Sequence, residues 1–177
     1  IFPTVKWVFA CAAERWAGTE QEIMCQWFDM ASVCRPNERM DVQAEGLKES
    51  VKEIVRMLRE EAETVGRENV LLAGISQGDA VAVCALLCGG WELGGFIGIS
   101  TWLPHQDHGN IENLEITLET PVLVTHSEDD EVVPIENGVG LSEGLIGLGM
   151  EVEFKCYGDG GHWVDEPEGI DDIVKFI

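Results

Sequence analysis

The chain has 177 residues, of which 45% are hydrophobic; this is enough for one sizeable core but short for two typical domains. We therefore predict a single domain over residues 1–177. Thirty-three acidic residues against 11 basic ones give a formal net charge of -22, which disfavours binding to nucleic-acid phosphates or anionic lipid headgroups. The only clustered basic residues alternate with acids, as on a solvated helix face: Lys48, Lys52, Arg56 and Arg59.

Cysteine spacing and the absence of targeting signals bear on the compartment. The six cysteines form no C-x-x-C pair, and Cys84 and Cys88 lie four apart in an apolar helical pattern, which favours reduced, buried thiols over disulfides or a zinc site. No apolar run reaches membrane-spanning length and no secretory signal is present, so we expect a cytoplasmic protein. The chain starts at Ile1 without an initiator Met and enters a strand-like run at once, so we expect an upstream segment.

Five short runs rich in β-branched and other apolar residues predict strands, at residues 4–9, 70–75, 94–100, 121–126 and 151–157. The first four are apolar at nearly every position, which is typical of strands buried on both faces of a parallel sheet.

Four segments show helical patterns. Residues 41–65 carry apolar side chains at spacings of three and four, and Gly66 ends this helix. A second helix follows Gly78 and is apolar nearly all round until Gly89, so we expect it to be buried. Residues 135–148 form a Gly-rich helix, and 169–177 a short amphipathic one. Strands that alternate with helices predict an α/β fold with a mostly parallel sheet flanked by helices. Residues 103–120 are the one long irregular connection.

The sequence Gly74-Ile75-Ser76-Gln77-Gly78 stands where a predicted buried strand ends and a buried helix begins, which is the context of a G-x-S-x-G nucleophile turn. Such a turn strains the serine backbone, and a side chain at either flanking position would collide with its neighbours. It places the Ser76 hydroxyl at the carboxyl end of the sheet and aims the Gln77 N–H at a developing oxyanion. From this motif alone, an ordinary Gly-rich connection remains the alternative.

A serine nucleophile needs a base and an acid, which in α/β-hydrolases follow in the order Ser, Asp, His. Four acidic residues, 128–131, follow the strand at 121–126; spacing does not choose among them, and a solvated turn is their alternative. His162 is the only histidine after this acidic run, and a surface loop position is its alternative. We expect His126 to end a strand and order the acidic loop.

Two further histidines offer a different chemistry. His105 and His108 flank Asp107, which suggests a metal site, but with one carboxylate and no further ligand nearby the sequence favours no metal.

Five separated blocks, in one order along most of the chain, resemble the acyl-protein thioesterase, or phospholipase/carboxylesterase, branch of the α/β-hydrolases. They are WFD (27–29), GISQGDA (74–80), STWLP (100–104), HSEDDEVVP (126–134) and YGDGGHW (157–163). The resemblance implies an α/β-hydrolase fold.

The resemblance also implies roles for individual residues. The family's pattern H-G-D-x-D-x-x-V-P matches His126, Asp130, Val133 and Pro134, which selects Asp130 as the triad acid, and leaves Asp129 on a variable position. Ser76 is then the nucleophile and His162 the base. Gln77 is the residue that gives one oxyanion N–H. Trp102 and Leu103 are candidate walls of the acyl site, with plain core residues at a strand end as the alternative.

Two departures from the family concern the oxyanion hole. Members of the family carry, ahead of the strand that matches residues 4–9, an earlier strand and an H-G-x-G-type loop whose N–H completes the hole. We therefore expect this chain to lack its N-terminal strand or strands and one oxyanion donor. Asp79 stands where the family usually has glycine, and a negative charge there would oppose a developing oxyanion.

The implied activity is that of a serine hydrolase that cleaves carboxylic esters or thioesters through an acyl-enzyme, without a metal or organic cofactor. Its implied substrate is a small ester, a lysophospholipid or an acylated protein. The alternative is a truncated or inactive homologue with an incomplete oxyanion hole.

Overall fold

The computed structural model describes residues 4–104 and 117–177. The elements in chain order are β1 (Glu14–Ala17), β2 (Glu22–Cys25), α1 (Met40–Val65), a 3-10 turn (Arg67–Asn69), β3 (Leu71–Ile75), α2 (Gln77–Gly89), β4 (Gly95–Ile99), β5 (Val122–Ser127), α3 (Ile135–Leu148), β6 (Val152–Tyr157) and α4 (Glu168–Phe176). The possible metal ligands His105, Asp107 and His108 lie outside the described residues.

In the described part of the chain, the central sheet contains four parallel strands in the order β3-β4-β5-β6. Every residue of β4 and β5 is buried, which agrees with their unbroken apolar sequences. Because all four strands run in the same direction, their carboxyl ends lie along one edge of the sheet. The segments that follow β3, β5 and β6 carry the candidate catalytic residues, so this edge positions the site.

Helices cover both faces of the sheet. On one face, α2 contacts β3 and β4, and α1 packs over α2; these elements share one apolar cluster with Phe96 and Val124 of the strands. On the other face, Ile97 and Ile99 pack against Phe176 of α4. Successive side chains of a strand point to opposite faces, which explains why neighbouring residues of β4 belong to different clusters. The result is an α/β fold with a parallel sheet between helical layers.

The N-terminal segment differs from the sequence-based prediction. Residues 4–9 form no strand, and all six are exposed; Trp7 and Phe9 stack on each other with ring centroids 6.5 Å apart. Strand propensity produces a strand only where a neighbouring backbone completes the hydrogen bonds, and no such neighbour occurs among the described residues.

The strand β3 and a β-hairpin also differ from the sequence-based prediction. β3 lies at one edge of the described sheet, so it is not buried on both faces as predicted: Leu71 is 39% exposed. The antiparallel hairpin β1–β2, paired from Glu14 opposite Cys25 to Ala17 opposite Glu22, was not predicted. Its strands are four residues each and mostly exposed, and they lack the apolar runs that mark the other strands.

The cysteines match the prediction only in part. All six are free thiols. Cys84 is buried within α2, but Cys88, one turn later, is exposed, as are the other four: Cys11, Cys25, Cys34 and Cys156. The prediction of burial was therefore wrong for five of the six. Cys88 is exposed because it lies at the C-terminal end of α2, and the other four exposed cysteines lie outside that helix. Within the described ranges, no helix is long and apolar enough to cross a membrane.

Candidate active site

Ser76 lies in the turn between β3 and α2 with φ 53° and ψ -127°. A positive φ at a residue other than glycine is strained backbone that the surrounding structure must hold in place. The Ser76 N–H donates to the Ile99 carbonyl at 2.9 Å, and the Ser76 carbonyl accepts from the Ala80 N–H at 3.1 Å. This is the strained serine that the motif predicted, held between the neighbouring strand and the first turn of α2.

The two glycines that flank Ser76 are not equally constrained. A Cβ on Gly74 would lie 2.4 Å from the Asp79 Cα, so only glycine allows α2 to approach β3 this closely. A Cβ on Gly78 would meet its nearest neighbour, the Trp27 Nε1, at 3.4 Å, which is an ordinary contact. The predicted collision therefore holds for Gly74 and not for Gly78.

Gln77 is the first residue of α2, where backbone N–H groups have no partner within the helix. Its side chain also has a structural role that the sequence did not reveal. The amide oxygen accepts the Trp27 N–H at 2.8 Å, and the amide nitrogen donates to the Phe28 carbonyl at 3.0 Å. Gln77 thus joins the Ser76 turn to the loop after β2, which explains the position of the WFD block beside the candidate site.

Asp130 and His162 form a direct pair. The His162 Nδ1 lies 2.9 Å from Oδ2 of Asp130 and 3.1 Å from Oδ1, and the Asp130 side chain is fully buried. Oδ1 also accepts the N–H groups of Val132 and Val133, each at 2.9 Å. Burial raises the pKa of Asp130, but the hydrogen bonds from His162, Val133 and Val132 outweigh it and hold the pKa below its ordinary value. Asp130 is therefore a carboxylate at neutral pH, suited to orient the imidazole.

Asp129, which the resemblance left without a role, also contacts the His162 loop. Its Oδ1 accepts the Gly161 N–H at 2.8 Å. Gly160 and Gly161 have φ values of 130° and 61°, a conformation that favours glycine. Asp129 and Asp130 therefore hold the same loop at adjacent points, one through the backbone and one through the ring. The double glycine before the histidine is the sequence signal that a specially shaped loop occurs here.

His126 lies behind the Asp130 carboxylate and is 1% exposed. Its Nε2 is 2.8 Å from the Val133 carbonyl and 3.3 Å from Oδ2 of Asp130. Because both of these groups are acceptors, Nε2 carries the ring proton. A Cβ on Gly138 of α3 would lie 2.3 Å from the His126 Nδ1, so the helix packs directly on the ring. His126 is the last residue but one of β5, which extends to Ser127, and it holds the acidic loop through Val133 and Asp130.

Ser76 stands at the same edge of the sheet as the Asp130–His162 pair, following β3 while they follow β5 and β6. Its hydroxyl makes no hydrogen bond to His162 in the described residues. Catalytic hydrogen bonds are often long without substrate, so this arrangement remains compatible with a triad.

Of the two candidate pocket residues, Trp102 is buried and Leu103 is only partly buried. Trp102 is 1% exposed and packs edge-on against Phe28, with centroids 6.3 Å apart, so its position is that of a core side chain. Leu103 is partly buried and lies against α3 at Gly144. Their role in substrate binding stays a prediction.

Comparison with known proteins was made on sequence and on structure. The model of the phospholipase/carboxylesterase family matches residues 1–177. Acyl-protein thioesterase 1 of Gibberella zeae is 31% identical over 156 residues, which is 85% of this chain and 66% of that protein. A rice (Oryza sativa subsp. japonica) protein whose name reads "Probable inactive carboxylesterase" is 31% identical over 142 residues, 79% of this chain and 57% of its own length.

The crystal structure of Arabidopsis thaliana SOBER1 is similar with a TM-score of 0.84 and 27% identity; the match covers 96% of this chain and 81% of that one. The chain thus spans about two thirds or less of the length of the two curated relatives.

Proposed function

Because the chain belongs to the phospholipase/carboxylesterase family of α/β-hydrolases, we propose that it is a serine hydrolase that cleaves carboxylic esters or thioesters through an acyl-enzyme. The observation that carries this proposal is the strained, positive-φ backbone of Ser76 at the edge of the sheet where His162 pairs with the buried Asp130. A surface turn has no need of such strain, whereas a nucleophile turn does.

The proposed chemistry follows from the orientation of His162. Its Nδ1–H donates to Asp130, so Nε2 has a lone pair and serves as the general base. Nε2 takes the proton of the Ser76 hydroxyl as Oγ attacks the substrate carbonyl, and the Gln77 N–H stabilises the oxyanion. The imidazolium then gives its proton to the leaving alcohol or thiol. Water, activated by the same histidine, hydrolyses the acyl-enzyme and restores Ser76.

The substrate class rests on the relatives and on the requirements of this chemistry. The names of the relatives are acyl-protein thioesterase and carboxylesterase, and both reactions proceed through the same tetrahedral intermediate. We propose an acyl ester or thioester as substrate, with a small ester, a lysophospholipid and an acylated protein as the three forms to test. The steps require no metal or organic cofactor. The cytoplasmic location stays a prediction.

A second candidate function is that of a non-catalytic homologue. One observation favours it: the name of the rice relative includes the word inactive. A homologue of this kind would keep the triad residues without a complete oxyanion hole. Loss of one oxyanion donor in an enzyme of this kind costs about a hundred- to a thousandfold in turnover.

Labelling with a fluorophosphonate probe separates the two candidates. We expect the purified protein to be labelled and Ser76→Ala to be neither labelled nor able to hydrolyse p-nitrophenyl acetate. Ser32→Ala is the matched control, because Ser32 lies in the loop before α1 and its hydroxyl accepts the Arg35 N–H, its one hydrogen bond within residues 4–104 and 117–177. Absence of labelling in the folded wild-type chain, or full hydrolysis by Ser76→Ala, would reject the hydrolase proposal.

A further inference from the structure

Asp79 is a buried carboxyl group three residues after the candidate nucleophile. It lies in the first turn of α2 and is 0% exposed. Its side chain rests on the sheet at Gly98 of β4, where an added Cβ would lie 3.0 Å from the carboxyl Oδ2. Glycine at this position of β4 therefore makes the space that the carboxyl group occupies, and the group is built into the core beneath the nucleophile turn.

The surroundings do not suit a carboxylate. Neither Asp79 oxygen receives a hydrogen bond from the described residues, and no lysine, arginine or histidine among them pairs with it. The buried hydroxyl of Thr101 lies beside the carboxyl group, but its proton goes to the Ser76 carbonyl at 3.0 Å. A buried, ionised carboxyl group without a donor costs several kcal/mol, far more than a neutral one.

A neutral carboxyl group fits the same surroundings. The Thr101 oxygen still has lone pairs after it donates to Ser76, and a carboxylic acid has a proton to donate to them. We propose that Asp79 is held in the fold as the neutral acid and that a hydrogen-bond chain from Asp79 through Thr101 to the Ser76 carbonyl fixes the nucleophile turn. Burial raises the pKa of Asp79 well above its ordinary value.

This hydrogen-bond chain ends at the peptide group between Ser76 and Gln77, whose N–H is the proposed oxyanion donor. The Ser76 carbonyl and the Gln77 N–H belong to one planar peptide unit and point in opposite directions. A hydrogen bond that fixes the Ser76 carbonyl oxygen therefore also fixes the direction of the Gln77 N–H. Because hydrogen bonds in a chain polarise one another, the same bond makes the Gln77 N–H a better donor to an oxyanion. Asp79 and Thr101 are thus positioning residues, and the negative charge expected from the sequence to oppose the oxyanion is absent. This catalytic part rests on the proposed function; the protonation state of Asp79 does not.

The protonation state is tested by unfolding Asp79→Asn and the wild type in urea from about pH 5 to pH 8. The carboxyl ionises near pH 4 in the unfolded chain but keeps its proton in the fold, so wild-type stability falls as pH rises, whereas asparagine does not titrate. We expect the ratio of the two folding constants to change by up to about tenfold per pH unit in favour of Asp79→Asn. A ratio that stays constant across this range overturns the proposal.

Few other groups interfere with this measurement. Gly74 of β3, Gly98 of β4 and Thr101 lie against Asp79 among the described residues, and none of these three titrates. The Cys84 thiol, further along α2, is titratable, and burial raises its pKa above the ordinary value for a thiol. Both proteins carry Cys84, so its titration is largely common to the comparison.

The positioning role is tested with ester hydrolysis by three variants. Asp79→Asn keeps a donor toward Thr101, so we expect it to retain at least about half of the wild-type kcat. Asp79→Ala and Thr101→Val each remove a member of the hydrogen-bond chain, and we expect each to lower kcat by about tenfold with KM little changed. An Asp79→Asn variant as impaired as Asp79→Ala would overturn the positioning role.

Failure of this proposal differs from failure of the proposed function. If Ser76→Ala hydrolyses the ester fully, the proposed function fails, while the urea series still decides the state of Asp79. If Asp79→Ala does not fold, the comparison of Thr101→Val with Asp79→Asn decides the positioning role.

Discussion

Replacing Asp130 with asparagine tests the catalytic role of the acid most directly, because the change is isosteric and the contacts of each oxygen are known. If the asparagine oxygen takes the place of Oδ1, it still accepts the N–H groups of Val132 and Val133. Its NH2 group then faces the His162 Nδ1, 2.9 Å from the present Oδ2. The opposite orientation places the NH2 group against the two backbone donors instead. Either way, two donors face each other.

The consequence for His162 sets the size of the effect. To accept a hydrogen bond from asparagine, Nδ1 must lose its proton to Nε2, and Nε2 can then no longer take the proton of Ser76. In other Ser-His-Asp enzymes this wrong tautomer lowers kcat by about 10⁴-fold, which corresponds to about 5.5 kcal/mol of transition-state stabilisation. We expect a loss of about 10³- to 10⁴-fold in kcat for Asp130→Asn.

The assay is the steady-state hydrolysis of a p-nitrophenyl ester, with Asp129→Asn as the matched control. That variant removes the same charge one residue away, and its amide oxygen still accepts the Gly161 N–H. We expect it to keep kcat within about threefold of the wild type, since it loses only the charge and keeps the hydrogen bond. If the two variants lose similar activity, or if Asp130→Asn stays within about tenfold of the wild type, the assignment of Asp130 as triad acid is refuted.

Three further predictions concern stability. Because the pKa of Asp130 is lowered in the fold, the ionised carboxylate adds to the free energy of unfolding above about pH 4, and this stabilisation is lost as pH falls through the folded-state pKa. Asp130→Asn should therefore flatten the acid limb of a plot of unfolding free energy against pH. An unchanged limb would contradict this. Gln77→Ala leaves the Trp27 N–H and the Phe28 carbonyl without their side-chain partner and should lower the free energy of unfolding in urea by about 1–3 kcal/mol. No change would mean that other contacts hold the loop after β2. Gly138→Ala forces α3 away from His126 and should lower the free energy of unfolding by about 1–3 kcal/mol. Gly140→Ala on the same helix, where a Cβ meets nothing within 4 Å, should leave that free energy unchanged or raise it by about 0.5–1 kcal/mol. Equal effects of the two substitutions would refute the close contact between Gly138 and His126.

Much of the α/β core was predictable because its signals are local. The apolar runs at 94–100 and 121–126 became the fully buried strands β4 and β5, and the Gly-rich helix at 135–148 has the predicted bounds. These segments are continuous in sequence and buried on both faces, so composition alone identifies them. Residues 4–9 have the same composition but no backbone partner among the described residues, and sequence pattern does not report on partners.

The candidate site could be predicted from the sequence where order along the chain sufficed, and not where side chains reach across elements; its catalytic role stays a prediction. The order of Ser76, the acidic run and His162 along the chain is enough to indicate a triad. The loop contact of Asp129 and the two hydrogen bonds of the Gln77 side chain join residues 32 and about 50 positions apart, so no local pattern marks them. The state of Asp79 likewise depends on the space at Gly98, which only the fold brings beneath it.

The position of β3 at the edge of the described sheet has a consequence for how the candidate nucleophile Ser76 is kept in place. A strand between two neighbours is protected on both sides, but β3 pairs only with β4, so in amide hydrogen exchange its protection should be lower than that of β4 and β5. The candidate nucleophile Ser76 thus follows a strand that we expect to be less protected than the two strands at the centre of the parallel sheet. Its placement relies on α2, on the Gln77 contacts and on Thr101, and loosening of these contacts should appear as faster exchange in β3 before any change in the overall unfolding transition.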